Sequence, residues 1–295
     1  MMVFGVPIDQ LAAQLMLGLI NGSFYAVLSM GLAIIFGLLN IINFAHGALY
    51  MVGAFAAWMG LAWFGVNYWT ALVVAPLVVG AFGVVIERVL LQWLYKMDHL
   101  YGLLLTLGMT LVIEGVFRDR FGSSGRAYAM PAQFAGGVDM GFLFLPYYRL
   151  WVIAACAVIC ASTWYAIERT RLGAYLRAAI QRPDLVLAFG VNVPRMITLT
   201  YAFGVALAAL AGVLAAPIYS VSPLMGSNLV IIVFAVVIVG GMGSIRGAVL
   251  AGFALGIVEG LTKAFYPEAA NAVIFIVMAI FLLLKPDSPY SDSKA

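Results

Sequence analysis

The sequence has little charge, few cysteines and few histidines, and each shortage excludes a class of protein. Only 9% of the 295 residues are charged, against about 25% in an average soluble domain. The two cysteines, Cys156 and Cys160, lie in one apolar run, and the two histidines lie far from them. This set offers no metal site, and we expect both cysteines to be small packing residues without a redox role.

Motifs for nucleotide binding and covalent catalysis are also missing. No glycine directly precedes a lysine, so the chain has no G-x-x-x-x-G-K-[ST] loop to hold the phosphates of ATP. Neither H-E-x-x-H nor G-x-S-x-G occurs. The basic residues flank apolar segments instead of interleaving with aromatics in a patch, which disfavours nucleic-acid binding. We therefore expect neither enzyme activity nor a cofactor in this chain.

Apolar residues, by contrast, are abundant. They make up 65% of the chain, and the mean hydropathy is +1.10. A helix needs roughly 20 such residues to cross a bilayer, so we predict an all-α integral membrane protein, a polytopic bundle that forms one domain over residues 1–295. Nine segments are candidates: residues 11–39, 47–65, 71–94, 100–117, 150–167, 196–219, 229–242, 247–262 and 271–284. The short pair at 229–242 and 247–262 could be half-helices, so the number of crossings is eight or nine.

The basic residues predict the orientation. The break from Glu168 to Arg195 carries five arginines, which places it in the cytoplasm by the positive-inside rule. Alternation then puts ten basic residues inside and five outside, with the tail 285–295 inside and the loop 118–149 outside. Acidic residues within the apolar segments are scarce. Only Glu114 and Glu259 are candidates for depth, and we expect both near the interface.

Two polar breaks interrupt the apolar segments. The first, residues 40–47, carries Asn40, Asn43 and His46. Either these side chains satisfy freed carbonyls at the cytoplasmic end of the break, or the break is an unwound turn that lines a translocation path. The second break forms either the outer mouth of that path or a plain turn punctuated by proline. Its candidate residues are Ser220, Ser222, Met225 and Gly226.

Glycines repeat at intervals of four residues, which puts them on one helical face where backbones can approach closely. The series are Gly18 and Gly22, then Gly243 and Gly247, then Gly252, Gly256 and Gly260. We expect tight helix packing at these faces, although membrane helices also tolerate glycine in general.

The predicted cytoplasmic loop at 168–195 is long enough to contain structure. Leu176, Ala179 and Ile180 fall on one face of a short amphipathic helix, and Pro183 is suited to start or kink a helix. This helix either lies on the bilayer surface or docks into a partner protein and transmits motion.

Five blocks of sequence, in order along nearly the whole chain, resemble one family. They are "LINGSFYAVLSMGLAIIFGLLNIINFAHGALYMVGA" at 19–54, "IER" at 86–88, "TLGMTLVIEG" at 106–115, "RAAIQRPDLVLAFGVNVPRMITLTYAFGVALAALAGVLAAP" at 177–217 and "SVSPLMGSNLVIIVFAVVIVGGMGSIRGAVLAGFALGIVEG" at 220–260. With them the chain resembles the LivH-type permease subunits of the branched-chain amino acid ABC importers. It departs from the family after "IER", where "LLQWLYKMDHLYG" replaces a more basic run.

The resemblance implies an ABC importer permease fold akin to the simple-sugar importer permeases, in a bacterial inner membrane. It also implies alternating access, powered by ATP and Mg bound to two partner ATPase subunits, beside a second related permease. An external solute-binding protein would dock at the loop 118–149, and the substrate would be a branched-chain or related small amino acid or amide. The residues implied to couple to an ATPase are Arg177, Arg182, Asp184, Leu187, Ala188, Gly190 and Asn192. The alternative is an ATP-independent secondary transporter or channel, which the scarcity of buried acids disfavours.

Overall fold

The computed structural model describes residues 2–3, 6–39, 41–95, 97–141 and 144–284. These residues form a helical bundle, which confirms the predicted all-α class. The helices are α1 (Ile8–Leu39), α2 (Ala45–Phe64), α3 (Tyr68–Val89), α4 (His99–Phe121), α5 (Tyr147–Arg169), α6 (Arg171–Gln181), α7 (Pro183–Ala188), α8 (Val193–Ala215), α9 (Met225–Gly240), α10 (Ile245–Phe265) and α11 (Ala270–Leu284). Two small antiparallel hairpins pair β1 (Met2–Val3) with β2 (Val6–Pro7) and β3 (Gly137–Asp139) with β4 (Phe144–Pro146). Three short 3-10 turns cover Leu91–Leu94, Ala132–Phe134 and Pro267–Ala269.

The described residues include eight helices that are long and apolar enough to cross a membrane: α1 to α5, α8, α10, and α11 together with the turn before it. The helix α9 has 16 residues, about 24 Å at the usual rise, which is less than the roughly 30 Å hydrocarbon core. The expectation that residues 247–262 could be a half-helix is wrong, because Ser244 caps α10 and the helix then continues for 21 residues. Of the predicted short pair, only α9 is short.

The central helix is α1, where every residue from Gly22 to Phe36 is buried. It packs most extensively on α10, which runs antiparallel to it. A Cβ atom on Gly18 would lie 2.5 Å from the carbonyl oxygen of Gly256, and a Cβ atom on Gly252 would lie 2.6 Å from the backbone nitrogen of Ala26. The two backbones are in direct contact, so this interface requires glycine.

The predicted glycine pair Gly243 and Gly247 does not share a helical face. Gly243 has φ +83° and lies in the turn before α10, where its Cα packs on Gly37. Gly247 lies in the first turn of α10 against Gly240, the last residue of α9. The prediction for this pair is wrong because α10 begins between the two glycines.

The long helices alternate in direction and give the bundle two ends. We call the end that carries residues 122–146 the loop end, and the end that carries α6 and α7 the arginine end. The described basic residues at the arginine end are Arg88, Arg169, Arg171, Arg177, Arg182, Arg195 and Arg246, and those at the loop end are Arg118, Arg120, Arg126, Arg149 and Lys263. This division follows the sequence prediction. The predicted tail at 285–295 lies outside the described residues.

The loop at this end is shorter than the predicted loop of 118–149, because α4 continues to Phe121 and α5 already begins at Tyr147. The Tyr148 hydroxyl donates to the carbonyl oxygen of Leu214 at 2.9 Å, which ties α5 to the end of α8. Arg126 pairs through its backbone with Val221. These contacts hold the loop against the segment between α8 and α9.

Candidate functional site

The first polar break joins α1 to α2, and its described residues, 41–47, are buried or half-buried in the bundle. Asn43 is fully buried, and its Nδ2 donates to the Tyr201 hydroxyl at 3.3 Å. The Thr106 hydroxyl accepts from the Phe44 backbone N–H at 3.2 Å and donates to the carbonyl oxygen of Ile42 at 3.1 Å. A single α4 side chain therefore satisfies two backbone groups that the break leaves outside any helix. Asn40, also predicted here, lies outside the described residues.

His46 is the second residue of α2 and is 1% exposed. Its Nε2 lies 3.0 Å from the carbonyl oxygen of Leu28, and Nδ1 has no hydrogen-bond partner among the described residues. Leu28 lies 11 residues before the end of α1, which is about 16 Å along the helix. His46 therefore lies deeper than the expected position at the end of the break, because the chain folds back into the bundle before α2 begins.

The second polar break, residues 216–224, follows α8 and also folds back toward the bundle. It borders a cavity of about 330 Å³ between α1, α2 and α9. Tyr219 is 42% exposed, so this side of the cavity opens at the loop end. The polar lining residues are Asn21, Tyr25, Tyr50, Tyr219, Ser220, Ser222 and Asn228, and the apolar ones are Phe24, Met225 and Leu229. The predicted residues Ser220, Ser222 and Met225 thus share one cavity.

The two breaks meet beneath this cavity. Gly226, in the first turn of α9, touches Gly47, in the first turn of α2, and a Cβ atom on Gly47 would lie 2.7 Å from the Gly226 carbonyl oxygen. Tyr50, one turn further along α2, lines the cavity. The structure therefore brings the His46–Gly47 pair next to the predicted Gly226, although His46 and Asn43 do not themselves line the cavity.

A polar network lies behind the cavity wall, between α1 and α10. The Tyr25 hydroxyl donates to Glu259 Oε2 at 2.8 Å, and Asn21 Nδ2 donates to Oε1 at 3.4 Å. Lys263 also contacts the same carboxylate. The Tyr219 hydroxyl donates to Asn21 Oδ1 at 2.8 Å, which connects the network to the cavity lining.

The two acidic residues expected near the interface are both enclosed. Glu259 is 5% exposed and Glu114 is 4% exposed, and the Ser227 hydroxyl of α9 donates to Glu114. Asn21 and Tyr25 were not predicted from the sequence as functional candidates. An asparagine between apolar neighbours at position 21 was an available signal, because an amide in a membrane helix needs a partner.

At the arginine end, α6 and α7 pack onto the bundle. Ala179, Val186 and Val193 form a small apolar cluster that joins α6, α7 and α8. Arg177 donates to the carbonyl oxygen of Ile167 at 2.8 Å, and Asn192 caps α8 by accepting from the Arg195 backbone N–H at 3.0 Å. The helix α7 begins at Pro183, which confirms the prediction of a helix start at this proline.

The described exposed side chains of α7 and of Phe189, the residue that follows it, are apolar. Leu187 is 49% exposed and Phe189 is 85% exposed, and Gly190 then turns the chain at φ +79°. The remaining predicted coupling residues are Arg182 at the junction of α6 and α7, Asp184 in the first turn of α7 and the exposed Ala188. The side chains of Asp184 and of Ile180 are not among those described.

The described residues contain eight apolar helices of membrane length, one of which is the buried central helix α1, and they define a polytopic membrane protein. A family model described as the permease component of branched-chain amino acid transport systems matches residues 14–283. The chain therefore belongs to this family, which confirms the resemblance found in the sequence.

Individual relatives agree with this assignment. The high-affinity branched-chain amino acid transport system permease protein LivH of Escherichia coli (strain K12) is 30% identical over 290 residues, which cover 92% of this chain and 93% of that protein. The corresponding permease protein BraD of Pseudomonas aeruginosa is 31% identical over 286 residues, with the same coverage. Among solved structures, PsaBC from Streptococcus pneumoniae in complex with Fab aligns over 96% of this chain and 91% of that one at 15% identity and a TM-score of 0.42, a likeness too slight to support an argument.

Proposed function

We propose that this chain is the membrane-crossing permease subunit of an ATP-driven ABC importer, and that it moves branched-chain or related small amino acids by alternating access. The observation that carries the ATP-driven part is the exposed apolar side of α7. Leu187 and Phe189 protrude from the arginine end, and exposed apolar residues rimmed by polar ones mark interaction sites. The partner that fits this surface is an ATPase subunit, which supplies the ATP and Mg sites.

The proposed orientation places the arginine end in the cytoplasm of a bacterial cell and the loop end outside the inner membrane, by the positive-inside rule. In this arrangement two ATPase subunits meet the α7 surfaces of this chain and of a second, related permease. An external solute-binding protein delivers the substrate to the loop end.

The cavity between α1, α2 and α9 suits an amphipathic solute such as a branched-chain amino acid. Ser222 and Asn228 offer hydrogen-bonding groups, while Phe24 and Leu229 offer apolar surface for an aliphatic side chain. Met225, the first residue of α9, also lines the cavity, and the partial positive charge of a helix N-terminus favours a carboxylate. A volume of about 330 Å³ falls at the small end of ligand sites, which usually measure about 300–1,000 Å³.

The contact between Gly47 and Gly226 is proposed to close the path on the arginine side of the cavity. Opening toward the cytoplasm would then separate the starts of α2 and α9, and His46 would act by holding α2 to α1 through Leu28. A His46→Phe variant should assemble and hydrolyse ATP normally but should transport less substrate. Unchanged transport would remove His46 from the mechanism.

The first experiment is gentle extraction of the chain from its native membrane, followed by mass spectrometry of the proteins that co-purify. Two ATPase subunits and a second permease should appear, and vesicles that hold this complex should take up labelled leucine only with ATP. A chain that purifies alone and carries leucine in ATP-free liposomes would contradict the proposal in favour of a secondary transporter or channel.

Cysteine crosslinking tests the docking surface directly. A Leu187→Cys variant should crosslink to an ATPase subunit, while Met140→Cys, exposed at the loop end, serves as the matched control and should not. The native Cys156 and Cys160 are buried, so background labelling is low. Absence of any crosslink from single cysteines placed along residues 177–190 would refute the docking of α7.

A further inference from the structure

A narrow apolar groove runs between α5 and α10 on the outside of the bundle, away from the cavity described above. It is lined by Ala157, Cys160, Ala161 and Trp164 from α5 and by Arg246, Val249, Leu250 and Phe253 from α10. In each helix the successive lining residues are three, one and three positions apart, so the four residues lie on one helical face. The groove encloses about 370 Å³ and extends for about 10 Å along the helices.

The groove exists because α5 and α10 both pack on α1 and barely on each other. The α5 side is made of small residues near its middle, and Leu250 on the α10 side is 70% exposed. Both helices are long and apolar enough to cross the membrane. The surroundings of the groove are therefore hydrocarbon, and a hydrocarbon chain is the occupant that its lining suits.

One end of the groove is polar, and it lies at the arginine end. The guanidinium carbon of Arg246 lies 5.0 Å from the centroid of the Trp164 ring, and the Arg246 side chain is 57% exposed. Trp164 Nε1 is buried and has no hydrogen-bond partner among the described residues. Arg246 is also the second residue of α10, where the helix N-terminus adds partial positive charge.

We propose that this groove is a binding site for an anionic phospholipid of the leaflet at the arginine end. One acyl chain lies between α5 and α10, and the phosphate lies against the Arg246 guanidinium. Tryptophan is typical of the headgroup level, and basic pockets between membrane helices bind anionic headgroups. The site needs neither ATP nor transport, so it does not depend on the proposed function.

Glu168 is an acidic residue beside this site, and its carboxylate would repel a bound anion. Its Oε2 lies 3.6 Å from Arg246 Nη2, and its side chain is 33% exposed. That separation exceeds a direct hydrogen bond, so the guanidinium keeps donors for a phosphate. Arg169 and Arg171 are exposed at the adjoining end of α5 and start of α6. The local excess of positive charge favours an anionic headgroup over a zwitterionic one.

The test is native mass spectrometry of the purified full chain, titrated separately with phosphatidylglycerol and with phosphatidylethanolamine. Arg246→Gln should weaken phosphatidylglycerol binding about fivefold, the effect expected of one basic residue near a membrane surface. Glu168→Gln should strengthen it, because a competing anion is removed. Arg195→Gln, exposed at the same end but on α8, is the matched control and should bind as the unmodified chain does.

A second variant tests the groove itself. Ala161→Phe places a ring among the lining residues and should reduce phosphatidylglycerol binding. The thermal unfolding midpoint checks that the variant is folded.

Equal binding of phosphatidylglycerol by the Arg246→Gln variant and by the unmodified chain would overturn the proposal. Equal binding of the two lipids by the unmodified chain would also overturn the proposal. A Glu168→Gln variant that binds phosphatidylethanolamine more weakly, and phosphatidylglycerol no more strongly, would overturn it as well, because that result indicates a site for a zwitterionic lipid. Crosslinking of a Leu250→Cys variant to another protein subunit in the native membrane would also overturn it, because a protein would then cover the groove.

Discussion

Replacing Gly256 with alanine should destabilise the bundle, although alanine is the better helix former. A Cβ atom at this position would lie 2.5 Å from the Gly22 nitrogen and 2.6 Å from the Gly18 carbonyl oxygen. Favourable contacts between heavy atoms lie at about 3.5–4.0 Å, so α1 and α10 must separate by about 1 Å. Both neighbours are backbone atoms of the buried central helix, and neither can move aside as a flexible side chain would.

The size of the effect follows from two opposing contributions. Overpacking of a tight interface costs about 1–3 kcal/mol, and replacing glycine with alanine in a helix gains up to about 1 kcal/mol. Gly108→Ala supplies the matched control, because Gly108 lies in α4 and no atom of the described residues comes within 4 Å of its added Cβ. The propensity gain is common to both variants, so the difference between them isolates the α1–α10 interface.

The assay is unfolding of the purified chain in mixed micelles by a denaturing detergent, followed by helical circular dichroism. Gly256→Ala should unfold about 1–3 kcal/mol more easily than Gly108→Ala, and Gly108→Ala should match or exceed the unmodified chain. Equal stability of the two variants would refute the claim that the α1 and α10 backbones are in direct contact at Gly256.

Three further predictions concern the polar break, the docking surface and the cavity. Thr106→Val should lower the free energy of unfolding by about 1–3 kcal/mol, since it removes the partner of two part-buried backbone groups; Thr110→Val, whose described hydrogen bond stays within α4, should cost less in the same assay, and equal costs would contradict the role of Thr106. Phe189→Ala should reduce substrate-stimulated ATP hydrolysis by the assembled complex without changing stability, because the ring is 85% exposed; normal stimulation would argue against docking at α7. Asn228→Leu should reduce leucine uptake with the complex intact, whereas unchanged uptake would exclude the cavity from the path.

The sequence predicted the crossing helices well because their length is set by the thickness of the bilayer. Apolar runs of about 20 residues are visible without knowledge of their neighbours, and the predicted segments fall on α1 to α5 and α8 to α11. The length of α10 was less clear, since the glycine-rich turn before it resembles a break. The cap that starts it is a hydrogen bond from the Gly247 backbone N–H to the Ser244 hydroxyl, a local contact that the residue types alone do not fix.

The candidate site was harder to predict because it depends on contacts between residues far apart in the chain. Tyr25 and Glu259 are separated by 234 positions, and nothing in the periodicity of either helix indicates that they pair. The glycine spacing identified the contact face of α10 but not its partner α1. Similarly, Thr106 has no sequence feature that marks it as the residue that satisfies the break between α1 and α2.

The two breaks converge inside the bundle, so α9 begins there and is short. A helix that begins inside the bundle leaves unpaired backbone N–H groups there, and in a membrane such groups are tolerated only against protein or a water-filled cavity. The start of α2 is held by hydrogen bonds to Thr106 and Leu28, whereas Met225, at the start of α9, borders the open cavity. The first turn of α9 is tied to another helix by the bond from Ser227 to Glu114, against two such bonds at the start of α2. If the contact between Gly47 and Gly226 opens as proposed, we therefore expect α9 to be the helix that shifts.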